Sequence, residues 1–590
     1  MSRLYLLASI VLVPCFSTFA AAQSAAPEPA TTIHATSDMV IVDVTVTDKQ
    51  QSAVHGLTAD DFKIYEDGHL QTVKNFEEHR SPAAPPPITP MPRLEEGTYT
   101  NFTPAPATGP LTILLLDTLN TPTVDQITVR NQLLKFLKQA KPGTEIAIFV
   151  LGTRLRLIKG FTSDINELRT LMENSKPEVS PLIDTVASDN ALGAREAAPD
   201  EKAQRAAART RFTLDGFNQL ERYLGSLQGR KNVIWFSGSF PLTIGGSGDA
   251  LNPIPETMLL DEFKDTLTMM SRSQIAVYPV DAVGLRTDPM NDPENNGGFS
   301  TSESSSSSSD TINSSHGAFN GEVANAYGEM KNIAEVTGGK LYFNSNDLAG
   351  AIQNVIDSGA NYYTITYVPT NSAQNGFYRK IKVETTRNGV SLAYRRGYYT
   401  YDRSSQKQAS EAKASKDETG PEAAPYDALN AAMMRGAPAP TQIMLLISAR
   451  PTTADSEPAA APGNSVQPKV KGPFRRYTVR YNVAADNLSC PATPDGIHHC
   501  SLQILAFVYD SYRGLVNTQV DGVKLGIPPA RYDAILAHGI ELKQEISVPT
   551  EDGTYFLRTG VRDVTSGRVG AVELPVAEAA KLTPVSATRP

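Results

Sequence analysis

The chain has 590 residues, of which 40% are hydrophobic and 20% charged, a make-up that supports packed cores and excludes a wholly disordered protein. One core stops growing at roughly 250–300 residues, so several domains are expected. The formal net charge of -9 is spread without a basic stripe, which excludes a nucleic-acid surface, since displacing counterions from phosphates needs clustered Lys and Arg.

Arg3, the apolar run from Leu4 to Phe19 and the small residues Ala20-Ala21-Ala22 read as an export signal over 1–22, cleaved before Gln23. No later run reaches the ~20 apolar residues of a membrane helix, so the mature chain is expected to be periplasmic or secreted, with no membrane span.

Met39 to Thr47 alternates at period two, and strand patterns follow at Phe62–Glu66 and Thr72–Phe76, joined by the turn Asp67-Gly68. Residues 33–80 therefore read as a small β-sandwich. It is short for an independent core, so it is expected to pack on its neighbour or to borrow a strand from it. Residues 81–109, rich in Pro, Thr and Ala, read as a linker.

Over 110–360 the pattern changes. Apolar strand-like runs at 111–117, 145–151, 232–237, 274–281 and 340–343 alternate with helical spacing in Val124–Gln139, Arg211–Leu227, Pro255–Arg272, Glu322–Thr337 and Leu348–Ser358. Such alternation predicts a parallel sheet covered on both faces, the doubly wound α/β class. Two insertions interrupt it, an Ala-rich charged stretch at 176–210 and a stretch at 286–318 containing the serine tract 304–309, which is expected to be a mobile loop.

Period two returns at Tyr362–Val368, Arg379–Glu384 and Ser391–Tyr394, so 361–402 is a β-extension that either enlarges the sheet or stands alone. A polar linker, 403–438, leads to 439–580, where strands recur near 441–449, 474–484, 501–510, 540–548 and 553–562, as in a C-terminal β-sandwich. There Cys490 and Cys500 bracket a short turn, and in an oxidising compartment they are expected to form a hairpin-closing disulfide. His498 and His499 point to opposite faces of a strand, which disfavours a metal site with both thiols.

The run Leu111–Leu116 ends abruptly in Asp117, and buried parallel strands deliver ligand-binding groups at such carboxyl ends. Asp281 ends a later strand at the same edge, either rimming a binding surface or capping a turn. Tyr394 to Tyr401 clusters Arg with Tyr, either to recognise sugars or acidic partners or, as favoured here, to close a strand end.

Several stretches together resemble the von Willebrand factor type A-like proteins, and more narrowly the VWFA-related family of exported Acidobacteria-type proteins. They are Val44–Asp48 with Gly56–Phe62 and Tyr65–Gly68, Leu114–Thr121, Ile275–Ala282, Ala334–Gly339, and Tyr362–Val368 with Arg396–Tyr399. The resemblance implies a metal-ion-dependent adhesion site for Mg or Mn. Asp117 matches its first ligand and Thr121 the last hydroxyl of its first motif, while Leu119 stands at the middle serine position. Ser237-Gly238-Ser239 stands where a Thr-Asp-Gly is usual, so Ser237 and Ser239 supply neutral oxygens in place of a carboxylate, and Asn120 adds another. Hard cations prefer anionic oxygen, so the motif is degenerate. The other reading has Asp117 capping a helix N-terminus or hydrogen-bonding the Ser237–Ser239 loop.

No zinc helix, nucleophile elbow or phosphate loop is present at the required spacing, so no catalysis is expected. The resulting expectation is a multidomain exported protein with a central doubly wound, von Willebrand A-like domain between N-terminal and C-terminal β-sandwich domains. Asp117, Asn120, Thr121, Ser237, Ser239 and Asp281 would bind a protein partner in adhesion or envelope assembly. In the alternative the central domain is structural and the sandwiches bind cell-wall glycan or protein. Oligomeric state is not encoded legibly.

Overall fold

The structure of the chain, a computed structural model, describes residues 39–50, 52–80, 89–106, 110–140, 144–183, 199–240, 256–284, 327–343, 347–373, 375–400, 428–551 and 553–585. The expected export signal, the serine tract and most of the 403–438 linker lie outside them. Among the described residues no helix is long and apolar enough to cross a membrane. Several sheets with separate hydrophobic cores make the chain multidomain.

The first strands do not form a unit by themselves. Strand β1 (Val40–Thr47) pairs with β11 (Tyr362–Tyr367) and β13 (Ser391–Ala393), and β11 pairs in turn with β4 (Val73–His79). Strand β2 (Phe62–Glu66) lies between β3 (His69–Gln71) and β12 (Tyr378–Thr385), and β12 also pairs with β14 (Gly397–Tyr399). The two sheets share one core, with Val42, Val44 and Ile64 meeting Ile365 and Ile381. The stretch expected as a β-extension thus supplies half the strands, and the central region is inserted between the halves. Residues 40–79 are too few to bury both faces without those partners.

Alternation in β1 also has a second meaning. Val40, Val42, Val44 and Val46 face the shared core, but Asp43 and Thr45 on the other face are buried too. Asp43 meets Arg230 of the central region, Nη1 to Oδ2 at 3.5 Å, and accepts a hydrogen bond from Thr364 Oγ1 at 2.8 Å. That contact docks the two units.

In the central sheet the order is β10-β9-β6-β7-β8. Strands β6 (Leu111–Asp117), β7 (Ile146–Leu151), β9 (Lys231–Ser237) and β10 (Ile275–Asp281) are parallel, and β8 (Leu155–Thr162) is an antiparallel edge. One face carries helices α1 (Thr123–Gln139), α2 (Ile165–Asn174) and α6 (Leu348–Gly359). The other carries α3 (Pro199–Leu224), α4 (Glu256–Arg272) and α5 over 327–337. Helix α1 buries Val129, Leu133, Phe136 and Leu137, one stripe at helical spacing. Helix α2 starts where Asp164 accepts from the N–H groups of Asn166 and Glu167. The run 340–343, expected as a strand, makes a single bridge from Tyr342 to Val280. Strand β8 and helix α2 lie where no element was expected.

At the start of β9, Lys231 is buried with its ammonium donating to Ser273 O at 2.9 Å, and burial pushes its pKa from 10.5 down to about 8 despite Glu221 and Asp43 nearby. The unfolded chain therefore binds more protons between those values, so stability rises with pH from about 8 towards 10.5. Lys231→Met is expected to remove that rise, worth about 3 kcal/mol at most, in urea melts across pH 7–10.

The C-terminal region also has two sheets around one core. The first holds β20 (Ile540–Pro549), β17 (Phe474–Val483), β15 (Leu445–Pro451) and β5 (Thr98–Thr100), and the second β16 (Ser465–Val466), β19 (Leu515–Ile527), β18 (His498–Tyr509), β21 (Phe556–Asp563) and β22 (Val569–Pro575). Residues expected as a linker are thus structural at two places. Strand β5 pairs with β15, held by Asn101 Nδ2 donating to the carbonyls of Pro440 and Ile443. The helix Ala428–Met433 packs on Leu505, Val569 and Ala571.

Cys490 and Cys500 are disulfide-bonded across the turn 493–497. The enclosed loop is short, so Cys490→Ser with Cys500→Ser is expected to cost about 2–3 kcal/mol, read from the urea midpoint of the purified chain. His498 stacks on Tyr532 and its Nδ1 lies 3.0 Å from Cys490 O, which accounts for that ring without a metal.

Candidate functional site

Strand β6 is apolar until Asp117, and its neighbours start new directions there. Strand β7 lies on one side of β6 and β9 on the other, so the carboxyl end of β6 is the point where the winding reverses. Asp117, Ser237 and Asp281 end neighbouring strands at one level.

After Asp117 the chain folds over the end of β7, with the amides of Thr118 and Leu119 donating to Leu151 O. That turn brings Asn120 back to Asp117. Its backbone N–H donates to Oδ1 at 2.9 Å and its Nδ2 to Oδ2 at 2.9 Å. Trp235 Nε1 also donates to Oδ2, at 3.0 Å, and Ser237 Oγ lies 2.7 Å from the same oxygen. Ser237 Oγ is in addition 2.8 Å from Ser239 O, so its one proton chooses between two acceptors. Thr121 Oγ1 accepts from Gly238 N at 3.0 Å. Only glycine fits at 238, because a Cβ there would lie 2.9 Å from Asn120 O.

Asp117 is thus an enclosed acceptor, 2% exposed. Burial raises its pKa, against the hydrogen bonds from Asn120, Ser237 and Trp235. It does not cap α1, whose N-cap is Pro122 and has no side-chain hydrogen bond.

The other expected binding residues are enclosed as well. Asn120 and Thr121 are 2% exposed and Ser237 is fully buried, so their side chains present nothing to a large partner; only Ser239 is half-buried. Asp281, expected either at a rim or as a turn cap, is a cap. It is 1% exposed, its Oδ1 accepts from Val283 N, and its Oδ2 accepts from Tyr327 OH at 2.6 Å. In the Tyr394–Tyr401 cluster, Tyr398 OH donates to Glu66 and Arg396 stacks on Tyr394, which serves the sheet end rather than a ligand.

Mg or Mn does not fit this donor set. Both Asp117 oxygens are occupied by donors and Leu119 is buried and apolar; among the described residues no second carboxylate joins, and no group of three His, Cys, Asp or Glu side chains converges on a common point. A cation that dehydrates reluctantly would have to displace Asn120, Trp235 and Ser237 together.

Two contributors escaped the sequence reading. Trp235 sits two residues before Ser237 and hence on the same sheet face, a signal that was available. Thr213 of α3 accepts from Asn120 Nδ2 at 2.9 Å, and nothing local marks it. Asn120 Oδ1 is buried without a hydrogen-bond partner.

Apolar side chains face solvent at this edge beside charged and polar ones. Ile127 and Ile158 border the opening there, and Val124 and Val179, each 72% exposed, lie respectively three residues before Ile127 and directly after Glu178. Between α1, α2 and the sheet the edge opens into a cavity of about 330 Å³.

No protein-family model matches the chain, and no curated protein matches it. Among solved structures it is similar to an aerotolerance-related membrane protein from Bacteroides fragilis with multiple mutations to serines, at 14% identity and a TM-score of 0.23 over 42% of this chain and 99% of that one. It is also similar to proximal thread matrix protein 1 from the mussel byssus, whose MIDAS motif holds zinc, at 10% identity and a TM-score of 0.22 over 44% and 48%. A third is von Willebrand factor type A from Catenulispora acidiphila, at 7% identity and a TM-score of 0.21 over 58% and 75%. Overlaps of that extent carry no argument about function.

Proposed function

We propose that this chain is an exported, non-enzymatic protein-binding module of the von Willebrand A-like kind, serving adhesion or envelope assembly, its central domain flanked by two β-sandwiches. The observation that carries the reading is the exposed apolar group Val124, Ile127, Ile158 and Val179 at the carboxyl edge, where doubly wound folds place their ligands. The disulfide supports export. Recognition then uses the apolar rim around the β6 end, while Asp117 and its donors keep that end rigid and need no resident ion.

A photo-cross-linking residue at Val124 or Val179 in the exported full-length chain, with Tyr512 as control, tests this. A discrete adduct from the two rim positions, lost when Ile127 is changed to Glu, is the expected result. Adducts from Tyr512 alone would overturn it and move recognition to the C-terminal sheets.

A further inference from the structure

We propose that the cavity beside Asp117 is a binding site for a small aliphatic carboxylate, with the chain inside and the carboxylate at Arg130 and Lys176. Ile127 and Ile158 of the proposed rim also line this cavity, but the proposal needs no protein partner.

The interior is built for apolar matter. Leu116, Val129, Val150, Met172 and Phe236 line it from five elements, strands β6, β7 and β9 and helices α1 and α2. Close-packed interiors leave few voids of about 330 Å³, and this one lies at the small end of the range for ligand sites. A methylene occupies about the volume of a water, ~30 Å³, so the space suits roughly ten heavy atoms.

The charges at the mouth select an anion. Among the described residues two acids line the cavity and both are already engaged: Glu178 is gripped by Arg156 Nη2 through both carboxylate oxygens, and Asp117 is enclosed by its donors. Two cations line it as well. Arg130 spends Nη1 on Ser175 O at 3.0 Å, but its Nε is buried with no acceptor. Lys176 is exposed, and no carboxylate among the described residues lies within ion-pair distance of it. The net charge presented inward is therefore positive, and a carboxylate can bridge the guanidinium and the ammonium.

Access is provided by the strap 174–178, which roofs the cavity. Gln126 of α1 holds it by donating from Nε2 to Glu178 O and accepting at Oε1 from Glu178 N, both at 2.9 Å. Arg156 of β8 also grips Glu178 and Arg130 holds Ser175 O, so opening of the strap exchanges these bonds, most of them at the surface, with water.

Calorimetry on the full mature chain with decanoate, decanol and decylammonium tests the assignment. Decanoate is expected to bind once per chain in the micromolar range, decanol more weakly, and decylammonium not at all. Arg130→Gln is expected to weaken decanoate roughly tenfold while leaving decanol unchanged. Met172→Trp, which fills the cavity, is expected to abolish both. No heat with decanoate, equal binding of decanoate and decylammonium, or decanoate binding indifferent to Arg130→Gln would each overturn the proposal. Should Met172→Trp fail to fold by circular dichroism, the Arg130→Gln comparison decides alone.

Discussion

Replacing Arg230 by methionine is expected to destabilise the chain by about 3–5 kcal/mol, the largest effect of any single substitution considered. Arg230 is 2% exposed and holds five groups at once. Its Nη2 donates to Tyr278 OH at 3.0 Å and to Gly338 O at 2.8 Å, its Nε to Asn232 Oδ1 at 3.2 Å, its Nη1 faces Asp43, and its guanidinium lies 5.5 Å from the Tyr362 ring centroid. Those partners belong to both the central sheet and the unit built from residues 40–79 and 362–399. Without the guanidinium, Asp43 is left as a buried carboxylate held by Thr364, and the two units lose a buried contact between them. The double variant Arg230→Met with Asp43→Asn is expected to recover part of the loss, since the uncompensated charge is then gone. Urea midpoints of the wild type and the three variants measure this, and a cycle with no coupling between 43 and 230 would refute the account.

Asp117→Ala is expected to cost about 3 kcal/mol through structure alone. It leaves Trp235 Nε1 and the Asn120 amide buried without an acceptor, while Ser237 keeps Ser239 O and Asn120 Nδ2 keeps Thr213. Trp235 is the chain's one tryptophan, so its fluorescence follows unfolding from beside the altered residue. Asp117→Asn keeps one acceptor and is expected to cost less. The pH dependence separates the two roles of the carboxyl. Its folded pKa is raised above 3.8, so its contribution to stability is complete below 3.8 and is lost as pH rises through the folded value. The wild type is therefore expected to gain on the Asn variant as pH falls through that window. Saturating Mg or Mn is expected to leave the midpoint of the chelator-stripped wild type unchanged. A rise in the wild type that is absent in Asp117→Ala would show that an ion does displace the donors, because a ligand of the folded state stabilises it by mass action.

The extent to which all this was legible varies with distance along the chain. Val129, Leu133 and Phe136 mark a helix because spacings of four and three put them on one side, and Val40 to Val46 mark a strand because alternate side chains share a face; each needs only its own neighbours. The end of the apolar run at Asp117 likewise located the carboxyl edge and the residue at its centre. Hidden from such reading were the partners. Period two says which face of β1 is buried but not that β11, more than 300 residues later, lies beside it, nor that Asp43 on the other face meets Arg230. Thr98–Thr100 is too short and too polar to declare itself a strand, and it became one because β15 offered an edge.

The same division runs through the site. From its sequence alone the chain determined that a carboxylate ends a buried strand, that the apolar Leu119 follows it two residues on, and that Cys490 and Cys500 flank a short turn. Only the tertiary structure decided that Asp117 is enclosed rather than displayed, since its donors come from Asn120 three residues on and from Trp235 and Ser237 about 120 residues on. Only it decided that a cavity opens beneath 174–178 with exposed Ile127 and Ile158 at its border. Local patterning records which face of an element avoids water, whereas hydrogen-bond saturation and cavity shape depend on which distant elements meet there, and no short window of sequence contains that information.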